Sequence, residues 1–176
     1  MENDAYFEIA NERAEKYKNN YREFIHIFID YFDEHNTSAQ ENIILLSHFF
    51  IHAAENIKMP RGIASIFFES TLESYETISS SKTHTEKYKN FLYNIDLPYE
   101  QHPNCMNFFI SKTVQFFTKH NGTFFDFLCL FSPFFANVCS EANVSYADFK
   151  DILASIKNFM KDSKVFDQIL KSQLTS

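Results

Sequence analysis

The chain has 176 residues, 45% of them hydrophobic and 22% charged, enough apolar material for one core and too much for a disordered or low-complexity chain. Its 16 Lys and Arg against 23 Asp and Glu leave a formal net charge of −7, and the basic residues are scattered, so a general nucleic-acid surface has no electrostatic basis. Two glycines and four prolines starve it of the turns that sheets and phosphate loops require, which points to helices throughout.

The start, Met1-Glu2-Asn3-Asp4, is acidic and lacks the basic and apolar stretches of a secretion signal. No apolar run approaches roughly 18 residues, so neither export nor a membrane span is expected. From about Asn3 to Phe32, Tyr6, Ile9, Tyr17, Tyr21, Phe24, Phe28 and Tyr31 recur at three- and four-residue steps, the pattern of one long amphipathic helix. Ser38 with Glu41 three residues on forms a capping box for a second helix carrying Ile43, Leu46, Phe50, Ala53 and Ile57. A third runs from about Arg61 to Ile78, and the polar stretch Ser79–His84 leads to a short helix with Tyr88, Phe91, Leu92 and Ile95 that stops before Leu97-Pro98.

Asn104 to Lys119 sets Met106, Phe109, Thr113, Phe116 and Phe117 on one face, and Gly122 suits the left-handed position that ends such a helix. Thr123 then caps a segment to Val138 that is apolar nearly all round, as expected of a helix surrounded by others, with a kink at Pro133. Ser145 caps a helix with the stripe Tyr146, Phe149, Ile152, Leu153, Ile156 and Met160, and Val165 to Leu170 makes a last short one. The expectation is a single all-helical domain over residues 1–176, a bundle of seven or eight helices around a Phe-rich central helix, without internal repeats. Asn36-Thr-Ser, Asn121-Gly-Thr and Asn143-Val-Ser match the glycosylation tripeptide, a pattern that arises often by chance.

His48 and His52, four apart, with Glu55 three further on, share a face that offers two imidazoles and a carboxylate to a metal. A facing ligand cluster is missing, since the central helix supplies only Asp126, so core-edge histidines and no metal or cofactor are expected. Cys105, Cys129 and Cys139, odd in number and without C-x-x-C spacing, read as packing thiols in a reducing compartment, the cytoplasm, with Cys105 the best placed for reactivity. Glu69, Glu73 and Glu76 read as a solvated acidic face before they read as acid-base groups. The 22 Phe and nine Tyr are mostly core, with room for a flat-ring pocket between helices.

From Leu97 to Ser155 the order of features resembles the TenA (thiaminase II) family, whose fold is the haem-oxygenase-like helical bundle. The stretch Lys119-His-Asn-Gly-Thr-Phe-Phe-Asp-Phe-Leu-Cys-Leu-Phe131-Ser132-Pro133 is similar to that family's Gly-Ser turn and Leu-rich helix ending in Leu-Pro-Cys. Tyr146-Ala-Asp-Phe149-Lys-Asp-Ile-Leu153-Ala-Ser resembles its Tyr-x-x-Trp-Ile-x-x-Tyr-Ala-Ser, and Gln40-Glu41-Asn42-Ile43-Ile44-Leu45 its Gln-Asp-Tyr-x-Tyr-Leu helix. The resemblance implies a ligand site at Glu41, Ile44, Phe131, Pro133, Asn137 and Leu153. Pro133 would stand for the family's catalytic cysteine, Asn137, Ile44 and Leu153 for tyrosines, and Glu41 alone keeps the charge of its counterpart. With a stop at Ser176 the family's last helices would be shortened. These substitutions imply a bundle that has lost thiamin-pyrimidine hydrolysis and binds a small heterocycle or a protein partner, with at most residual acid chemistry through Glu41.

A second resemblance is to divergent viral Bcl-2-like proteins, whose groove takes an amphipathic partner helix. His120-Asn121-Gly122-Thr123 stands where that family carries Asn-Trp-Gly-Arg, and the glycine matches while the arginine does not. It implies a non-enzymatic interaction module, and either resemblance leaves a homo-oligomer open. A closed cavity near Glu41, Phe131 and Asn137 would favour the first, an open trench the second.

Overall fold

The computed structural model describes residues 8, 11–57, 61–79 and 101–162. Seven helices lie among them: residues 11–16 (α1), Tyr21–His35 (α2), Ala39–Ile57 (α3), Arg61–Ser79 (α4), Cys105–Lys119 (α5), Phe124–Glu141 (α6) and Tyr146–Asp162 (α7). The described residues contain no β-strand, so the all-helical bundle with a Phe-rich central helix is the observed architecture. The short helices expected at Tyr88–Ile95 and Val165–Leu170 lie outside the described residues.

One boundary differs from the periodicity. The single helix expected from Asn3 to Phe32 is interrupted at residues 17–20, where Lys18 and Asn20 donate three residues back, to the Glu15 and Tyr17 carbonyls at 3.3 and 2.9 Å. The stripe is continuous across the break because a tight turn preserves the face, while Asn19 and Asn20 compete with the helical backbone for hydrogen bonds.

Three connections share one chemistry. Asn36, Asn121 and Asn143, at the ends of α2, α5 and α6, take φ of 49°, 51° and 58°. The next amide, of Thr37, Gly122 or Val144, donates five positions back to Phe32, Phe117 or Cys139 at 3.2, 2.7 and 3.1 Å, closing the helix end. The third residue caps the following helix: Ser38, Thr123 and Ser145 accept from the Glu41, Asp126 and Asp148 amides at 3.2, 3.3 and 3.1 Å. In the first two the acid also accepts from the cap's own amide, at 2.6 and 3.1 Å, completing the box.

The pattern Asn-x-Ser/Thr-x-x-Asp/Glu thus recurs at 36–41, 121–126 and 143–148, a short repeat where none was expected. It accounts for the three glycosylation-type tripeptides as helix connectors. It also corrects the role given to Gly122: Asn121, not the glycine, occupies the left-handed position.

α6 is the axis. α4 packs along it most extensively, α3 next, and α2 more briefly. Phe131 is 1% exposed, its ring lying near-parallel to those of Phe50 and Phe135 at 5.7 and 5.8 Å, and Phe50 continues the stack to Phe67 at 4.4 Å. On the α2 side, Phe28 meets Phe49, Phe109 and Phe134 at 5.2, 4.9 and 5.2 Å. Such ring pairs contribute roughly 0.5–1.5 kcal/mol each beyond area burial. The Thr71 and Ser132 hydroxyls bond at 2.7 Å between α4 and α6, and the Tyr75 hydroxyl donates to the Val144 carbonyl, satisfying polar groups in the core.

α6 runs without interruption through Pro133. At 18 residues it is long and apolar enough to cross a membrane, further than the apolar runs suggested, but 61% of it is buried in the bundle, as a core helix requires.

Asn36→Ala and Asn143→Ala are each expected to lose about 1 kcal/mol in urea unfolding, since a Cβ without a local hydrogen bond is disfavoured at positive φ. The Gly variants are expected to match or slightly exceed the parent. Equal losses for Ala and Gly would count against the left-handed role.

Candidate functional site

The open space in the bundle is apolar and elongated. A groove of about 280 Å³ runs between α3 and α5 and ends on the first turn of α6. One wall is Phe49, Ala53 and Asn56; the other is Ile110, Val114 and Phe117, with Phe124 and Phe127 between them. Each wall is a row at steps of four and three, so the trench extends over about two turns, about 10 Å. Among the described residues no charged side chain lines it, and Val114 on its rim is 60% exposed. A second groove of about 360 Å³ separates α2 from α6, lined by Tyr21, Ile25, Ile29, Phe134, Asn137 and Val138, with Asp33 and Glu141 among its other residues.

The first groove ends at Gly122, whose lack of a side chain is required. A Cβ there would come within 2.5 Å of both Phe117 Cδ1 and the Tyr17 hydroxyl. Tyr17 is 1% exposed and points at Asp126, which is fully buried at the N-terminus of α6. The Tyr17 hydroxyl donates to Asp126 Oδ2 at 2.8 Å, the Thr123 amide at 3.1 Å, and Arg13 Nε and Lys16 Nζ approach at 3.3 and 3.5 Å. Burial pushes the carboxyl up, but the Tyr17 and Thr123 hydrogen bonds and the Arg13 and Lys16 charges outweigh it and hold Asp126 below the usual carboxylate range. The Tyr17 hydroxyl is raised by burial first and then by Asp126.

The six residues implied by the TenA resemblance fall in different places. Glu41 sits in the α3 capping box, and Ile44 and Phe131 are packed in the core. Pro133 is half-buried within α6, Asn137 lines the α2–α6 groove, and Leu153 lines a shallow α4–α7 depression with Phe68 and Leu72. Neither groove, nor that depression, holds more than one of them.

His48 is buried, His52 half-buried and Glu55 exposed, with the two imidazole centres 6.5 Å apart. Among the described residues no group of three or more His, Cys, Asp or Glu is gathered to hold a metal. Glu69, Glu73 and Glu76 are exposed on α4.

Burial pushes the Cys105 and Cys129 thiols up to about 12 and Cys139 higher still. Cys105, favoured for its place at a helix start, is fully buried, so desolvation defeats the helix terminus that would have activated it.

One cluster is invisible to any sequence window. Tyr31, Glu34 and His35 near the end of α2 share an open cleft of about 300 Å³ with His102, Pro103 and Phe108. His35 Nδ1 lies 2.9 Å from the Tyr31 carbonyl, and His102 Nδ1 lies 3.0 Å from the Tyr31 hydroxyl. Seventy-one residues separate Tyr31 from His102, and only the fold brings them together.

No family model matches the chain, and neither a curated protein nor a solved structure does.

Asp126→Asn is expected to destabilise the protein by about 2–3 kcal/mol at neutral pH, through weakened charge-assisted bonds. Because the folded carboxyl lies below its unfolded value near 3.9, its contribution is complete above that value and is lost as pH falls through the folded one. Thermal melts between about pH 5 and 2 should fall less steeply in the variant; parallel curves would refute the assignment. Gly122→Ala is expected to cost about 1–3 kcal/mol by overpacking against Phe117 and Tyr17, and a melt within error of the parent would show that the contact yields.

Proposed function

We propose that this chain is a non-enzymatic interaction module that takes an amphipathic helix of a partner protein into the groove between α3 and α5. The observation that carries the reading is the groove's form: open, uncharged and walled by two helical rows of matched spacing. An apolar helix face presents side chains at i, i+3, i+4 and i+7, the periodicity of those walls. About 10 Å of trench takes two turns of the visitor, or two to three anchoring side chains.

The position of the groove adds support. It ends on Gly122-Thr123, the element that carries the resemblance to Bcl-2-like proteins. Thr123 uses its hydroxyl to cap α6, where that resemblance would require an arginine to pair with a partner's aspartate. The partner helix is therefore anchored by apolar residues, and the net charge of −7 favours basic flanks on it. Free thiols, with Cys105 and Cys139 buried, accord with the cytoplasm as its place of action.

A second reading, a small heterocycle bound as the TenA resemblance implies, is favoured by one observation. Asn137, one of the implied ligand residues, is exposed and lines the α2–α6 groove together with Tyr21, a flat ring and an amide in one space.

The two readings are separated by thermal shift against a panel of amphipathic helical peptides and, in parallel, thiamin and aminopyrimidines. Peptide stabilisation is expected, and Val114→Lys is expected to weaken it by about tenfold or more while leaving the melting temperature of the free protein unchanged, since Val114 is exposed. Peptide shifts that survive Val114→Lys would place the partner elsewhere. Stabilisation by a heterocycle alone, lost in Asn137→Phe, would replace the helix-binding reading with the second.

A further inference from the structure

The cleft joining α2 to the start of α5 lies apart from both grooves. His35 Nδ1 faces a backbone carbonyl, which only accepts, so the ring must donate from Nδ1 and carry its lone pair on Nε2. That is the arrangement in which a metal-binding imidazole is oriented by a hydrogen bond from its other nitrogen. His102 is oriented through the same atom, Nδ1, by the Tyr31 hydroxyl at 3.0 Å, and when that oxygen accepts from Nδ1 the His102 lone pair also stands on Nε2. The His35 ring is further fixed by stacking on the Tyr31 ring at 3.9 Å and 19°. One tyrosine thus orients both imidazoles, through its carbonyl, its ring and its hydroxyl.

The spacing between the rings is informative. Their centres are 5.5 Å apart and their planes meet at 73°. Two imidazoles on one tetrahedral ion, at metal–nitrogen distances of ~2.0–2.1 Å, hold their ring centres roughly 5 Å apart. The His48 and His52 rings, on one helix, are 6.5 Å apart. Charge favours a cation in the cleft, because His35 stands at the C-terminal, negative end of the α2 dipole and the exposed Glu34 lines the same space.

We propose that His35 and His102 form a two-imidazole site for a divalent transition-metal ion such as Zn²⁺ or Cu²⁺, which pins the start of α5 to the end of α2. The protein supplies two nitrogen ligands, and water fills the remaining positions in the open cleft. Borderline divalent ions prefer imidazole nitrogen, whereas Mg²⁺ and Ca²⁺ prefer oxygen and are not retained.

The test is isothermal titration of the full chain with ZnCl₂, beside the variants His35→Ala, His102→Ala, Tyr31→Phe and the double variant His48→Ala/His52→Ala. His35 is exposed, so its replacement leaves the core untouched, and circular dichroism checks the fold of each protein. The expected result is one Zn²⁺ per chain, weakened about tenfold or more by either His35→Ala or His102→Ala, and weakened by Tyr31→Phe, which keeps the stacked ring but removes the orienting hydroxyl. The His48/His52 variant should bind as the parent does, and the Cu²⁺ form should show coupling to two nitrogens by electron paramagnetic resonance. No binding, binding that persists in His35→Ala, or binding lost with His48 and His52 would each overturn the proposal.

Discussion

The first turn of α6 is where the structure is most constrained. Asp126 completes the capping box with Thr123, accepts the Tyr17 hydroxyl and draws in Arg13 and Lys16. A carboxylate with no exposure is costly to bury, and it is tolerated here because donors and cations meet it from α1, from the turn after it and from the helix N-terminus. The interruption at residues 17–20 begins at Tyr17, the residue whose hydroxyl meets Asp126. Gly122 belongs to the same arrangement, since any side chain there would displace that hydroxyl.

A chain with two glycines must end its helices by other means, and it uses asparagine. The side chain of Asn tolerates the left-handed region, and the Ser or Thr two positions later starts the next helix with almost no intervening residue. Short connections turn the chain sharply, so the main packing is between helices that are not consecutive, α4 on α6 and α3 on α5, and phenylalanine fills the core between them. Large flat rings pack well against each other but leave troughs where two helix rows do not meet. The grooves beside α3 and α5 and beside α2 and α6 are such troughs, each lined by the outer edge of the same aromatic core.

Much of the fold was legible because it rests on local signals. The helical stripes, the box at Ser38, the cap at Thr123 and the all-apolar segment around Phe131 each rest on signals within a few turns of sequence. The break after Tyr17 was not legible, because the three-residue turn keeps the apolar stripe in phase and the carboxylate that Tyr17 meets is more than a hundred residues away. The connector repeat was concealed by chemistry that reads equally well as a modification motif. The site was far less accessible: a groove is a relation between α3 and α5, and Val114, an exposed apolar residue, carries no distinguishing mark in a Phe-rich chain. His35 and His102 likewise stand in unremarkable surroundings until Tyr31 joins them.

α5 is common to both features, and its restraint bears on how the groove would work. Its first turn is fixed by Cys105 in the core and by the Tyr31–His102 bond just before it; its last turn is closed by Asn121 and Gly122, with Tyr17 against Phe116 and Phe117 at 6.0 and 5.8 Å. The exposed Lys119–Glu23 pair at 3.0 Å adds little to this, as solvent screens it. A wall held at both ends has little freedom left to lose when a ligand arrives, so less of the contact energy is spent on ordering the protein. A short trench of about 280 Å³ benefits most from that economy, because two or three anchoring side chains leave a small margin over the entropy of association. The same buried contacts that hold the bundle together would therefore also set how well the groove is prepared for the proposed partner helix.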